Sequence, residues 1–182
     1  MFDLIREDFE VYGRRISRQG LWVTVVYRFG RWAHGIQPAI LRLIMSTVYS
    51  CLKLLSQVLT GIDLPCEATI GRRFKIEHFG GIVISPAAVF GNDVTVRQGV
   101  TVDLRRTGEG GAPTIGDRVD IGAGAKILGP IVIGDDVMIG ANAVVIRDVP
   151  SNSIAVGIPA RIRPRAKAFE EVAALTFDYG HR

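Results

Sequence analysis

Beyond residue 62, aliphatic residues recur at every sixth position of the chain. The clearest run is Ile115, Ile121, Ile127, Ile133, Ile139 and Val145. Gly follows four of these six residues, and a second small or branched apolar residue stands four positions after each of them. A period of six is neither helical nor the alternation of one long strand, so it predicts a short strand, a turn and a return to the interior. The Gly residues are expected to adopt backbone conformations closed to other residues. The pattern predicts a hexapeptide-repeat β-solenoid.

The six-residue step continues upstream and is interrupted once. The earlier interior positions are Ile84, Phe90, Val96 and Val102, preceded in a shifted phase by Ile70 and Ile76. Residues 103–113, DLRRTGEGGAP, break the repeat, because Gly and charged side chains cannot fill an interior. We therefore predict a solenoid domain over 62–162, a loop extruded at 103–113, and a C-terminal tail over 163–182.

Residues 1–61 show a helical pattern instead. Acidic side chains lie early, where a helix N-terminus favours negative charge, and Gly13, Gly20 and Gly30 are expected to punctuate the helices. The segment 35–38 ends in a proline and predicts a break. From 39 to 59 apolar residues occupy nearly every face, and such a helix must be covered by something. We therefore predict an α-helical N-terminal arm over 1–61 that mediates oligomerisation.

A membrane contact is the alternative explanation for the apolar part of this arm. The stretch 43–62 is long enough to span a bilayer, but Lys53 lies at its centre. A lysine there costs about 2.5–3.5 kcal/mol. Self-association is therefore preferred over a peripheral membrane contact.

Charge and composition exclude several classes of protein. The net charge of +4 suits anionic ligands such as phosphates, but no aromatic residues interleave with Lys and Arg as in single-strand binders, so no nucleic-acid partner is expected. Two cysteines cannot form a disulfide framework. The N-terminus lacks an apolar signal core, which predicts a cytoplasmic protein. Of three histidines, His34, His78 and His181, one lies in the solenoid, which argues against a zinc site of clustered histidines, and no metal is expected.

Several motifs carry a resemblance to a known family. They are TGI-D at 60–63, IGRRF-x-I-x-H at 70–78, GIVI at 81–84, NDVT and QGVT before 102, IGAGAKILGPIVIG at 121–134, IGANAVV at 139–145 and VGIPARI at 156–162. Together they resemble the serine acetyltransferase family of hexapeptide acyltransferases. The resemblance implies an all-β left-handed parallel β-helix behind the helical arm, with 115–132 and 133–150 as two complete coils among about five. It implies an acetyl-CoA-dependent O-acetyltransferase.

The same resemblance implies roles for three residues near the start of the solenoid. His78 falls on the family's catalytic base and Asp63 on its paired aspartate. A neutral imidazole can remove the proton of an attacking hydroxyl, and a carboxylate on the other ring nitrogen holds the tautomer. Glu77 falls where the family contacts the amino acid substrate. The alternatives are a structural histidine, a turn aspartate after Gly61 and a solvated corner glutamate.

Acetyl-CoA is the co-substrate that the resemblance implies, bound in a groove between neighbouring subunits. The candidate contacts are Gly122, Ala123, Gly124, Ala125, Lys126, Ala141 and Arg161. Small residues let the pantetheine arm approach the backbone, and the two basic residues suit the CoA phosphates. Coil geometry alone is the alternative reason for the small residues. A groove with two walls implies a homotrimer at least, or a dimer of trimers joined through 1–61.

Departures from the family's motifs bear on the acceptor. The family's Arg-His-Pro run, which helps bind serine, is replaced by Gly111, Ala112 and Pro113, and its GGTG is replaced by the DLRR of 103–106. The tail ends YGHR without the terminal Ile that docks into cysteine synthase, so no such complex is expected.

These departures favour the branch that resembles colanic-acid-type exopolysaccharide O-acetyltransferases, with a sugar hydroxyl of a polysaccharide precursor as acceptor. L-Serine is the alternative acceptor, with Arg105 and Arg106 supplying the missing substrate contacts. A scaffold without activity and an acyl-CoA sensor are the non-enzymatic alternatives.

Overall fold

The computed structural model describes residues 1–106 and 110–165. Three helices come first: α1 (Phe2–Val11), α2 (Gln19–His34) and α3 (Ala39–Thr60). The strands that follow are β1 (Ile62–Asp63), β2 (Thr69–Ile70), β3 (Lys75–Glu77), β4 (Ile82–Ile84), β5 (Val89–Phe90), β6 (Thr95–Arg97), β7 (Thr101–Asp103), β8 (Thr114–Ile115), β9 (Asp120–Ile121), β10 (Lys126–Leu128), β11 (Val132–Ile133), β12 (Met138–Ile139), β13 (Val144–Val145), β14 (Ser153–Val156) and β15 (Arg161–Pro164).

The strands form three parallel sheets, which are the three sides of a solenoid. Their orders are β1-β4-β7-β10-β13, β2-β5-β8-β11 and β3-β6-β9-β12-β14, so each strand from β1 to β10 pairs with the third strand after it. β15 closes the last sheet in antiparallel register with β14. The predicted interior positions are buried throughout, from Ile70 at 7% exposure to Val145 at 1%. The hexapeptide solenoid predicted from the six-residue period is therefore confirmed.

Coil length varies along the solenoid. Ile115 pairs with Ile133, which gives the predicted coil of eighteen residues. The next coil is shorter than the predicted 133–150, because Ile133 already bridges to Val149. The first coil is longer, with Ile70 beside Phe90. Strand β15 runs to Pro164, so the solenoid extends two residues past the predicted boundary, and most of the predicted tail, with His181, lies outside the described residues.

The Gly residues that follow the interior aliphatic positions are required for a reason different from the predicted one. Gly122 and Gly134 do not have positive φ angles. Instead, a Cβ on Gly122 would lie 2.6 Å from the backbone nitrogen of Ala141, and one on Gly134 would lie 2.5 Å from that of Ser151. Gly is needed there because the next coil passes too closely for any side chain, not because the backbone is left-handed.

Several left-handed corners are formed by charged residues. Arg73, Asp93, Arg118 and Asp136 all have φ near +55° to +58°. Arg73 pairs with Asp93 at 2.5 Å and Arg118 with Asp136 at 2.7 Å, so ion pairs join the corners of successive coils.

The helical arm docks on the first coil through α2. Tyr27 donates its hydroxyl hydrogen to the carbonyl of Ala68 at 2.8 Å. Gly20 and Gly30, predicted to punctuate the arm, lie inside α2, where a Cβ would fall 2.5 Å from the Ile76 carbonyl oxygen or 2.4 Å from the Tyr49 ring. The glycines therefore let the helix approach its neighbours closely. The predicted break at 35–38 is confirmed.

A buried ion pair joins both first helices to the solenoid. The Nε of Arg28 lies 3.0 Å from an Asp8 carboxylate oxygen, and the two side chains are 5% and 0% exposed. The same guanidinium donates to the carbonyls of Ile70 at 3.0 Å and Gly71 at 2.6 Å. Burial raises the pKa of Asp8, and the hydrogen bond from Arg28 opposes that rise.

Helix α3 leaves most of its apolar surface exposed. Tyr49 and Thr60 are its buried residues, whereas Ile40 and Val58 are 79% and 75% exposed. By length and composition α3 is apolar enough to cross a membrane, with 6% of its most apolar window buried against the rest of the described chain. This exposure is consistent with the prediction that a second molecule covers the helix.

Candidate active site

A cavity of about 660 Å³ separates the arm from the first coil, and His78 lies on its wall. One side is formed by residues of the loop between α1 and α2 and the first turn of α2, including Arg15, Arg18 and Gln19. The other side is formed by β3 and the corner after it, including Lys75, Glu77 and His78. The arm and the solenoid thus build this cavity together.

His78 lies at a widened corner of the first coil. In the strand pairing, Glu77 lies beside Arg97 of the next coil, and Val83 lies beside Thr101. The step from Glu77 to Val83 is therefore two residues longer than the step from Arg97 to Thr101. His78 has a φ of +61°, the left-handed conformation that also recurs at other corners of this solenoid, such as Arg73 and Arg118. Its side chain is exposed, and among the described residues its ring has no hydrogen-bond partner.

Asp63, the predicted partner of His78, contacts the helical arm instead. Its carboxylate lies 3.1 Å from the ammonium of Lys53 on α3, and no hydrogen bond joins it to His78 within the described chain. Asp63 Oδ1 is buried, and the lysine is its charged neighbour. Sequence reasoning treated Lys53 as an obstacle to a membrane span and missed this contact.

Glu77 is held between two cations. The ammonium of Lys75 lies 2.6 Å from one carboxylate oxygen, and Arg97 Nη2 lies 3.2 Å from the other. The hydrogen bond from Lys75, with the charges of Lys75 and Arg97, lowers the pKa of Glu77, so the carboxylate is ionised at neutral pH. The sequence could have indicated this contact, because Lys75 stands two residues before Glu77 on the same strand, and this spacing places both side chains on one face.

The loop arginines lie away from this cavity in the described chain. Arg105 packs at Gly129, where a Cβ on the glycine would lie 3.4 Å from Arg105 Cβ. Neither Arg105 nor Arg106 is among the described residues that line the cavity at His78, and residues 107–109 fall outside the description. Within one subunit, the arginines that line this cavity, Arg15 and Arg18, come from the arm.

The predicted CoA-binding segments stack along the same edge as His78. Backbone hydrogen bonds join successive corners, from Gly124 N to Gln98 O and from Asn142 N to Ala123 O. Ala123 is half-buried and Ala141 is exposed, so both residues are open to a ligand. Gly122 packs against the next coil, and Gly124 has a φ of +74°.

Two of the predicted CoA contacts are engaged elsewhere. Ala125 is fully buried, so its side chain faces the interior and only its backbone is available to a ligand. The Lys126 ammonium donates to the Gly99 carbonyl at 2.5 Å and to Thr101 Oγ1 at 3.0 Å. Arg161 lines a second cavity of about 330 Å³ near the end of the solenoid, together with Arg147. This pair is better placed than Lys126 to meet a phosphate.

A second cluster of potential ligand atoms joins α2 to the first coil. His34, Cys66 and Glu67 offer atoms within 4.8 Å of one another, with Cys66 Sγ 3.5 Å from His34 Nδ1. Burial raises the pKa of the Cys66 thiol, and His34 Nδ1 also lies 2.9 Å from the Gly30 carbonyl oxygen. Histidine counting in the solenoid missed this cluster, because the residues come from distant parts of the chain.

The chain is similar in sequence and in structure to known proteins. Residues 112–147 match the family model "Bacterial transferase hexapeptide (six repeats)". The chain is 50% identical over 110 residues to the serine acetyltransferase of Mycobacterium tuberculosis, covering 59% of this chain and 47% of that protein. It is 45% identical over 169 residues to the serine acetyltransferase of Bacillus subtilis, covering 88% and 76%. The crystal structure of the Brucella abortus serine acetyltransferase in complex with coenzyme A superposes with a TM-score of 0.77 at 28% identity, covering 90% and 67%.

Proposed function

The chain belongs to the serine acetyltransferase family of hexapeptide-repeat transferases, and we propose that it transfers the acetyl group of acetyl-CoA to the hydroxyl of L-serine. The observation that carries this acceptor is the 45% identity to the Bacillus subtilis serine acetyltransferase over 88% of this chain. The sugar acceptor favoured by the sequence departures draws no support from these relatives. We therefore prefer L-serine, the alternative acceptor.

In the proposed reaction His78 acts as the general base. One ring nitrogen takes the hydroxyl proton as the serine oxygen attacks the thioester carbonyl carbon. The tetrahedral intermediate then expels the CoA sulfur, which receives the proton back from the imidazolium. The exposed position of His78 supports this role, because the residue lines the cavity and both ring nitrogens are without a hydrogen-bond partner within the described chain.

Asp63 is proposed to orient the His78 ring and stabilise the imidazolium. In the structure its carboxylate lies 3.1 Å from the Lys53 ammonium and makes no hydrogen bond to His78 within the described chain, so the proposed pair requires a rearrangement. Until then the carboxylate keeps its contact with the Lys53 ammonium.

Glu77 is proposed to contact the ammonium group of the substrate. Its two cationic partners leave it ionised, and a carboxylate has about four acceptor positions, so free lone pairs remain. The placement of Ala123 and Ala141 on the His78 edge, together with the CoA complex of the Brucella abortus relative, supports acetyl-CoA as donor.

A saturation curve for L-serine tests the acceptor. We expect saturable release of free CoA thiol from acetyl-CoA, with a Michaelis constant on the order of 1 mM or below, the usual range for enzyme substrates. Nucleotide-linked and polyprenyl-linked sugars serve as competing acceptors and should give no release above hydrolysis. Efficient turnover of a sugar with no saturation by L-serine would reject this proposal.

Two features indicate that the protein forms an oligomer: the exposed apolar face of α3, and a CoA groove of which one solenoid forms only one side. We expect at least a trimer, because Ile40 and Val58 need cover and the groove needs a neighbouring subunit. Light scattering combined with activity at the same concentration measures this. A fully active monomer would contradict it.

A further inference from the structure

We infer that Arg15 and Arg18, on the loop between α1 and α2, bind the carboxylate of the acceptor amino acid. The inference rests on the proposed function and deepens it, since it names a binding subsite in the cavity that contains His78. It assigns to the helical arm a part of substrate recognition beyond oligomerisation.

The loop is held firmly against the strand that carries Glu77. The backbone nitrogen of Ile76 donates to the Tyr12 hydroxyl at 2.7 Å, directly before the loop. Directly after it, Gly20 lies so close to Ile76 that a Cβ would fall 2.5 Å from the Ile76 carbonyl oxygen. Both ends of the loop are therefore fixed to the residue that precedes Glu77. A site anchored in this way keeps its geometry when the ligand binds.

The guanidinium groups of Arg15 and Arg18 are available to an anionic ligand. Among the described residues, neither guanidinium has an ion-pair or hydrogen-bond partner, whereas Arg14 in the same loop lies 3.5 Å from Glu10. Around the cavity, Arg15, Arg18 and Lys75 outnumber the single carboxylate of Glu77. A cavity with this excess of positive charge favours an acceptor that carries an anionic group. Arginine suits a carboxylate in particular, because its planar fork makes two parallel hydrogen bonds.

Gln19, at the start of α2, adds an unsatisfied polar group to this wall. Its Oε1 is buried without a hydrogen-bond partner, and the residue lines the same cavity. A buried acceptor of this kind usually has a partner. A carboxylate has no hydrogen to donate, so the donor that would complete this wall is the ammonium group of the same ligand.

This subsite resolves the loss of the family's Arg-His pair. Gly111 and Ala112 offer no cation, and Arg105 lies at Gly129. In one subunit the arginines that line the cavity with His78 are on the arm instead. L-Serine would then be held at three points, with its carboxylate at Arg15 and Arg18, its ammonium at Glu77 and its hydroxyl at His78.

The test compares L-serine with L-serinamide, which keeps the hydroxyl and the ammonium but lacks the carboxylate. The full-length protein is assayed as wild type and as Arg15→Gln, Arg18→Gln and the double variant. We expect each single variant to raise the Michaelis constant for L-serine about 10- to 100-fold, as for a lost charge-assisted contact, with kcat within about threefold of wild type. The constant for L-serinamide should stay unchanged, so the preference for L-serine disappears.

Arg14→Gln is the matched control, because it removes the same charge from the same loop outside the cavity. It should keep the wild-type constants for both acceptors. Wild-type preference for L-serine in both single variants and in the double variant overturns the inference and leaves the proposed function intact. Failure of the wild-type protein to acetylate L-serine overturns both.

Discussion

Replacing His78 should lower acetyl transfer by about 10²–10⁴-fold, the usual cost of losing a general base. The best variant is His78→Asn, because asparagine tolerates the φ of +61° at this corner and cannot accept the hydroxyl proton at neutral pH. Initial rates at saturating L-serine and acetyl-CoA measure the effect. Since the side chain is exposed and bonded to no described residue, the melting temperature and the affinity for CoA should stay near those of the wild type.

Asp63→Asn should also lower the rate of acetyl transfer, because an amide would hold the His78 ring in the wrong tautomer and cannot stabilise the imidazolium. The double variant should be little slower than His78→Asn alone, as expected for two residues that act as a unit. Turnover close to wild type in His78→Asn would refute the mechanism. Normal turnover in Asp63→Asn alone would show that the role of the Asp63 carboxylate is limited to its contact with Lys53.

Arg28→Met should lower the free energy of unfolding by about 3–5 kcal/mol, the usual cost of breaking one side of a buried ion pair. The substitution leaves the fully buried carboxylate of Asp8 without its cation and removes a donor from the carbonyls of Ile70 and Gly71. Urea denaturation at a fixed protein concentration measures the loss, because assembly also contributes to stability.

The paired variant Asp8→Leu with Arg28→Met should recover much of this loss, since no charge is then left buried. Arg118→Ala is a control at an exposed ion pair, where screening by solvent leaves little effect on the unfolding midpoint. An Arg28→Met protein as stable as the Arg118→Ala control would show that the arm is held to the solenoid by other contacts.

The repeat allowed much of the site to be located in advance. The motif that ends at His78 placed this residue just after an interior position, Ile76, so its location at a solenoid corner could be inferred before the fold was known. The corner's left-handed backbone and its two additional residues could not be inferred. They become visible only when Glu77 is aligned with Arg97 in the next coil.

The partners of the candidate residues were less predictable than the residues themselves. Lys53 beside Asp63, Arg97 beside Glu77 and Arg15 across from His78 all come from other helices or coils. Motif spacing describes one stretch of chain at a time. Contacts between stretches depend on how the arm docks and how the coils register, which a local pattern does not record.

The solenoid could be predicted from the amino-acid sequence alone, because most of its coils bury aliphatic residues at a spacing of six, a pattern that is local in the chain. The sequence also determined that a long apolar helix precedes the coils. Only the tertiary structure decided why Gly122 is glycine, where Arg28 and Asp8 meet, and which cations face the candidate base. The physical reason is that these features depend on close approach and charge pairing between segments distant in sequence, whose geometry exists only after the arm has packed on the first coil.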